Sequence, residues 1–428
     1  MDKEFIERRR KLQIKLYGST FWDFSAPYNC ICLGETCTQN DESLALSDSI
    51  TIALEKDGCN FVVVEGDQRL GKSLEVAKAV AELGLSGKKV MVVYGRDELK
   101  GEPNCDRYVM EQLGLETYHT QETSYFDPDG KGIPEYILNE IGEDTIIVLN
   151  EATNPFILEL MKTGINLFCA QNDERRENYH TRFEMVLNNN YLLNYWENTY
   201  YPNTIEPILA RGGKIAFITP YQFAPLVRTV LSQVTRACAQ HIIDNKLSNE
   251  IPIFTVNRWS DEQLAQLIDS VFDFEGVSNI ETKKSQLIRL CKGSPWLINE
   301  LATTINEGHV LNRPVKISKA FFYSPDGNNP VLDMFIFTCY NTLKLYNLLT
   351  GEFIEERNEY PTASELKTKL LVFRQEVIDF FECEKCYAGL WDLNCALFER
   401  YYAHNADTTA VWEQTLGMLT VMKSCDTH

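Results

Sequence analysis

Eight consecutive residues, Gly66-Asp67-Gln68-Arg69-Leu70-Gly71-Lys72-Ser73, fit the pattern G-x-x-x-x-G-K-[ST] without a mismatch. Each residue type has a chemical reason to be there. Glycines let the backbone curl around an oxyanion, so that main-chain N–H groups and the N-terminus of the next helix point at it. Lys72 adds a mobile positive charge for the β- and γ-phosphates of a nucleotide, and the Ser73 hydroxyl offers one oxygen to Mg2+. The chain on either side meets the requirement of the pattern. Phe61-Val62-Val63-Val64 reads as a fully buried strand, and Leu74, Val76, Ala77, Val80, Ala81 and Leu83 recur at helical spacing. Residues 66–74 are therefore the expected nucleotide-binding segment.

Two further positions invite the same chemistry. The apolar run Thr145-Ile146-Ile147-Val148-Leu149 ends at Asn150-Glu151. Where such a strand ends in two acids, the first holds Mg2+ through water and the second aligns or deprotonates the attacking water. Here Glu151 keeps the general-base position. Asn150 takes the metal position without a charge, so weak metal affinity and slow or partner-dependent hydrolysis are expected. Thr219 ends another strand and could place a hydroxyl near the γ-phosphate, although threonine is also an ordinary strand residue. Arg69, Arg211, Arg258 and Arg289 are the cationic candidates for an arginine finger. Guanine readers use Asn-Lys-x-Asp; Asn245-Lys246-Leu247-Ser248 lacks the acid, which favours adenine.

These residues need a scaffold that gathers strand ends. Beyond the first strand, apolar runs at 89–94, 145–149, 214–219 and 251–256 alternate with helical patterns at 41–56, 74–84 and about 223–244. Residues 1–40 read as a helix and an irregular arm, and residues 95–140 as polar chain with a turn at 127–132. Five short apolar strands separated by helices imply an α/β fold with a five-stranded parallel sheet covered on both faces. Ligands of such sheets bind at the carboxyl ends of the strands, where the glycine loop, Asn150-Glu151 and Thr219 all fall. After residue 256 the period becomes helical. Ser260 with Gln263 makes a capping box, and Gly293-Ser294-Pro295 opens another helix. The expected organisation is an N-terminal arm (1–40), a sheet domain (41–256), a helical segment (257–311) and a mostly helical C-terminal domain (312–428).

Composition narrows the class. The 428 residues are 44% hydrophobic and 11% aromatic, which suits a globular chain of two or three domains. A net charge of −20 argues against a protein whose main task is coating nucleic acid. No run of eighteen apolar residues occurs, and the N-terminal MDKEFIERRRKL has no apolar core of a secretory signal. A cytoplasmic protein that does not enter membranes is expected. The 13 cysteines read mainly as reduced, buried thiols. Two groups could instead ligate zinc: Cys30, Cys32 and Cys37 in a loop-like stretch with Cys59, and Cys383, Cys386 and Cys395 with His404.

The pieces EGDQRLGKS, TIIVLNEA, KIAFIT, IPIFTVNRWSDEQLAQLI and LCKGSPWLINELA resemble the P-loop ATPases of the AAA+/STAND superfamily, particularly the archaeal-type and origin-recognition (Orc-like) branches. They span roughly residues 41–310, and the Gly-x-Pro at 293–295 is the feature most particular to STAND proteins. The resemblance implies a P-loop NTPase core with a helical lid at 257–311. Pro295 would approach the phosphates or base, and ATP turnover would toggle the lid and assembly. It implies ATP/ADP and Mg2+ as ligands, a protein partner or self-association, and leaves nucleic acid possible against the acidic balance. The departures are Asn150, the lack of a clear arginine finger and no evident winged-helix or repeat domain. Other readings stay open: a nucleotide-sensing interaction protein without turnover, and a small-molecule kinase.

Overall fold

The computed structural model describes residues 24–34, 44–67, 69–94, 116–119, 132–143, 145–150, 191–221, 225–274, 276–305, 314–317 and 363–382. Its centre is a seven-stranded sheet. The strands are β1 (Tyr28–Gly34), β2 (Phe61–Asp67), β3 (Val90–Tyr94), β4 (Glu116–His119), β5 (Ile146–Asn150), β6 (Lys214–Tyr221) and β7 (Glu250–Val256). They lie in the order β1-β7-β2-β6-β5-β3-β4. Every pairing is parallel except that of β1 with β7. The five expected strands are all present and parallel, and β4 and β1 extend the sheet at its two edges. β1 corrects the expectation of a loop around Cys30 and Cys32. That segment runs antiparallel to β7 with Cys30 opposite Phe254 and Cys32 opposite Pro252.

The apolar runs are strands because both of their faces are covered. Val62, Val64, Val90, Val92, Ile146, Val148, Ala216, Ile218, Phe254 and Val256 enter one core, shared with helices α1 (Leu46–Glu55) and α2 (Lys72–Leu85). Their neighbours Phe61, Val63, Met91, Val93, Ile147, Leu149, Ile215, Phe217, Ile251 and Ile253 enter the other. That second core is completed by α3 (Glu135–Leu138), α4 (Tyr191–Tyr195), a wide-turned π segment (Trp196–Ile205), α5 (Glu206–Ala210) and α6 (Pro225–Asp244). Pro202 lies inside the π segment, where its missing N–H would break an ordinary α ladder. The 20-residue α6 matches the expected long helix closely.

Helix α2 leaves β2 on one face of the sheet, whereas α6 leaves the adjacent β6 on the opposite face. The two crossovers therefore part between β2 and β6, the switch point outside whose strand ends open α/β sheets form their ligand crevice. Beyond the sheet come α7 (Asp261–Val271), α8 (Ile280–Cys291) and α9 (Trp296–Ile305), which join the α2-side core through Leu264, Leu267, Leu287, Leu297 and Leu301. Ser260 and Gln263 form the expected capping box on α7. Two short strands not foreseen in the sequence, β8 (Phe272–Asp273) and β9 (Val315–Lys316), pair in parallel. Farther along, α10 (Ala363–Phe381) joins the same core with Phe373, Val377 and Phe380. Among the described residues no helix is long and apolar enough to cross a membrane.

A buried polar knot ties α2 to the chain before it. The Glu75 carboxylate accepts from Ser25 Oγ (3.0 Å), Ala26 N (3.4 Å), Ser47 N (3.1 Å) and Lys78 Nζ (2.8 Å). Ser25 Oγ in turn accepts from Leu46 N, so this knot also satisfies the first amides of α1. Removing one partner leaves a buried charge uncompensated. Glu75→Ala is expected to lower unfolding free energy by about 3–5 kcal/mol, read from urea denaturation, with Glu75→Leu/Lys78→Met losing less.

Thiol reactivity gives a second check. Burial pushes the Cys59 thiol up to about 12, with the nearby Glu250 carboxylate adding to the shift. Burial also raises Cys238 and Cys291. A raised thiol pKa keeps the group neutral and unreactive at pH 8. Iodoacetamide at pH 8, followed by peptide mapping, should modify the partly exposed Cys30 and Cys32 and spare Cys59, Cys238 and Cys291 until denaturant is added.

Candidate functional site

The crevice is lined first by the turn from β2 into α2. Gly66 has φ +147°, and a Cβ there would stand 2.6 Å from the carbonyl oxygen of Val256 on the neighbouring β7. Only glycine lets these two strands run side by side up to the loop. Gly71 is left-handed at φ +100°, and among the described residues nothing lies within 4 Å of where its Cβ would be. It is the N-cap position of α2, where glycine brings no side chain of its own to the first amides. The contrast within the chain is instructive. The start of α1 is satisfied by Ser25 and Glu75, and that of α7 by Ser260. The first amides of a helix have no intrahelical partners, and together with the helix dipole they make an oxyanion site.

The charged and hydroxyl groups expected at this site gather around that turn. Lys72 is buried and its Nζ donates to the carbonyl of Asp67 at the far side of the loop. Ser73 Oγ lies 3.5 Å from Asn150 Oδ1 at the end of β5. The two residues expected to face a metal thus come together from separate elements, with Asn150 only 7% exposed. Both offer neutral oxygens. Among the described residues no group of three or more His, Cys, Asp or Glu gathers to hold a metal. A Mg2+ ion there would draw most of its ligands from water and from a bound phosphate chain, which is how this cation is usually held. Leu70 is buried, while Leu74 packs against the α2-side core from a partly exposed position. Arg69 holds a left-handed conformation at φ +68°.

Thr219 is buried on β6, directly across from Glu65 on β2. It belongs to the α6 face of the sheet by its alternation with Ile215 and Phe217, whereas Asn150, alternating with Ile146 and Val148, belongs to the α2 face. The two thus approach the crevice from different sides. Gln68 and Glu151 lie outside the described residues, as do Cys37 and the group Cys383, Cys386, Cys395 and His404. Arg211 donates to the Pro207 carbonyl within its own helix end. Arg289 lies in the last turn of α8.

Several site residues were not anticipated. Glu65 is fully buried at the end of β2, accepts from Thr255 Oγ1 (2.9 Å) and pairs with Arg236 Nη2 of α6 (3.3 Å). A charged residue ending an otherwise apolar, doubly covered strand was the available signal, because such a group needs a partner. The segment after β7 also reaches the loop. Trp259 Nε1 donates to Leu70 O (3.4 Å), Ser294 Oγ donates to Arg69 O (3.0 Å), and Arg258 Nη2 lies 3.7 Å from Asp67 Oδ2. The Gly-Ser-Pro turn thus touches the glycine loop through Ser294, while Pro295 is buried beside it. Compared with models of known protein families and with curated proteins, the chain gives no match to either.

Proposed function

We propose that this chain binds ATP with Mg2+ at residues 66–74 and hydrolyses it slowly or with the help of a partner. It would work as a conformational switch or assembly motor of the P-loop AAA+/STAND kind, on a protein partner or on copies of itself. The observation that carries this reading is the turn behind left-handed Gly71, where the Lys72 ammonium folds back on the loop and the Ser73 hydroxyl at the start of α2 meets Asn150 from β5.

The chain's own groups divide the work. Amides of the loop and of the first turn of α2 receive phosphate oxygens, and Lys72 turns its ammonium from the Asp67 carbonyl to the β- and γ-phosphates. Ser73 and Asn150 would hold Mg2+, which offsets the charge of the phosphate chain. Glu151 takes a proton from the attacking water as its oxygen bonds to the γ-phosphorus. The bond to the bridging oxygen breaks, leaving ADP and phosphate. Thr219 orients that water. Catalysis is then mostly electrostatic positioning. The helical segment 257–311 acts as the lid, and Trp259 and Ser294 are its contacts with the loop.

One observation favours a second reading, a nucleotide sensor without turnover. Asn150 is neutral where a metal-binding acid would stand, and its Oδ1 is already directed to the Ser73 hydroxyl. Phosphate release separates the two. An ATPase predicts Mg2+-dependent release that Glu151→Gln lowers by about a hundredfold or more, and that Asn150→Asp raises. Wild-type release no greater than that of Glu151→Gln, alone or with candidate partners, would leave only the sensor. Failure of the wild-type chain to bind ATP would contradict both.

A further inference from the structure

At the carboxyl end of the sheet, the α6 face changes from apolar to polar within one row. Val63 of β2 has Phe217 on one side and Ile253 on the other, and all three are buried in the core of that face. The next row on the same face is Thr219, Glu65 and Thr255, in register on β6, β2 and β7. It lies one residue before Gly66, where the glycine loop begins. The Glu65 side chain is 0% exposed, and its two oxygens are unequally used. Oε1 accepts from Thr255 Oγ1 at 2.9 Å and from Arg236 Nη2 at 3.3 Å. Oε2 is also buried, yet it accepts no hydrogen bond among the described residues. Arg236 is 35% exposed and is fixed within its own helix, where Nη1 donates to Ser232 O and Oγ.

An ionised carboxylate accepts at both of its oxygens, and leaving a buried acceptor without a donor costs more than the absence of one hydrogen bond. Oε2 is enclosed, so what completes it is a small donor, and the neighbouring strand brings the Thr219 hydroxyl to the same row. We infer that Glu65 is a water-positioning residue of the hydrolytic reaction, holding the attacking water beside the loop through Oε2, together with Thr219. This deepens the ATPase reading and rests on it. The water donates one O–H to Oε2 while its oxygen bonds to the γ-phosphorus and the bond to the bridging oxygen breaks. Its other proton passes to Glu151, and the one held toward Oε2 stays with the phosphate formed. Glu65 takes no proton in the step. Arg236 offsets its charge, which limits repulsion of the phosphate chain. A carboxylate fixed in this way orients the water before nucleotide arrives, the preorganisation on which electrostatic catalysis depends.

Phosphate release at saturating MgATP, with calorimetric binding of MgATP, tests this on the full chain. The variants are Glu65→Gln, Arg236→Gln, Glu151→Gln and the double variant Glu65→Gln/Glu151→Gln. Glu65→Gln is nearly isosteric and keeps an acceptor for Thr255, so it should lower release by about a hundredfold with the affinity for MgATP nearly unchanged. Arg236→Gln breaks the tie to α6 but spares the carboxylate, and should cost far less. In the double variant the change at Glu65 should cost little beyond that of Glu151→Gln, because both groups act on one water. Circular dichroism checks that each variant is folded; should Arg236→Gln not fold, Glu65→Gln and the double variant decide. Equal losses of release in Glu65→Gln and Arg236→Gln, a loss that appears as weaker MgATP binding, or full additivity with Glu151→Gln would overturn the proposal and leave Glu65 a structural tie. A wild-type chain that bound MgATP but released no phosphate would overturn it too and leave the nucleotide-sensor reading standing. One that bound no MgATP would remove both.

Discussion

The constraint on which this structure turns is the divergence of two crossovers. β2 and β6 are neighbours in the sheet, yet the chain leaves β2 through α2 on one face and leaves β6 toward α6 on the other. Neither helix can close the gap between the strand ends without abandoning its own face of the core. The N-terminus of α2 is left at that switch point, and Gly71 before it brings no side chain to cap the helix. Glu65 and Glu75 fasten the two sides: one ties the end of β2 to β7 and α6, the other ties α2 to α1 and to residues 24–27. The turn between them is thus held from both sides by rigid elements.

Contacts made from outside the sheet reach the same turn. Trp259 and Ser294 bond to carbonyls on the loop, and Arg258 pairs with Asp67. The helical segment is in turn joined to α10. Buried Lys283 of α8 donates to the Asp379 and Phe380 carbonyls at the end of α10 and pairs with Glu382. Lys292, whose carbonyl accepts from Arg258, pairs through Nζ with Glu376 at 3.3 Å. Asp67, Arg258, Lys292 and Glu376 thus form one run of contacts from the glycine loop to α10.

Much of the frame could be read from residues because the central strands are covered on both sides and so appear as unbroken apolar runs. The same logic explains what was hidden. β1 is an edge strand whose alternate residues are half-buried, so Cys30 and Cys32 looked like a ligand-bearing loop rather than strand positions paired with β7. β4 consists of Glu-Thr-Tyr-His and has no apolar run to announce it, while β8 and β9 are two residues each. At the site, the glycine spacing and Lys72 were legible because they are local in sequence. The approach of Ser73 to Asn150, and of Arg258 to Asp67, joins residues 77 and 191 positions apart, and no spacing rule foretells such meetings. Glu65 is hidden because the apolar run of β2 ends at Val64, one residue before it.

The central claim is that backbone amides in the turn from β2 into α2 receive the phosphate chain of a nucleotide. Hydrogen–deuterium exchange on peptides covering residues 66–76, with and without MgATP, reads those amides themselves. The account predicts slowed exchange in these peptides when MgATP is present, stronger than with adenosine alone. Exchange at 66–76 that stayed unchanged under saturating MgATP, with protection confined to other parts of the chain, would contradict it.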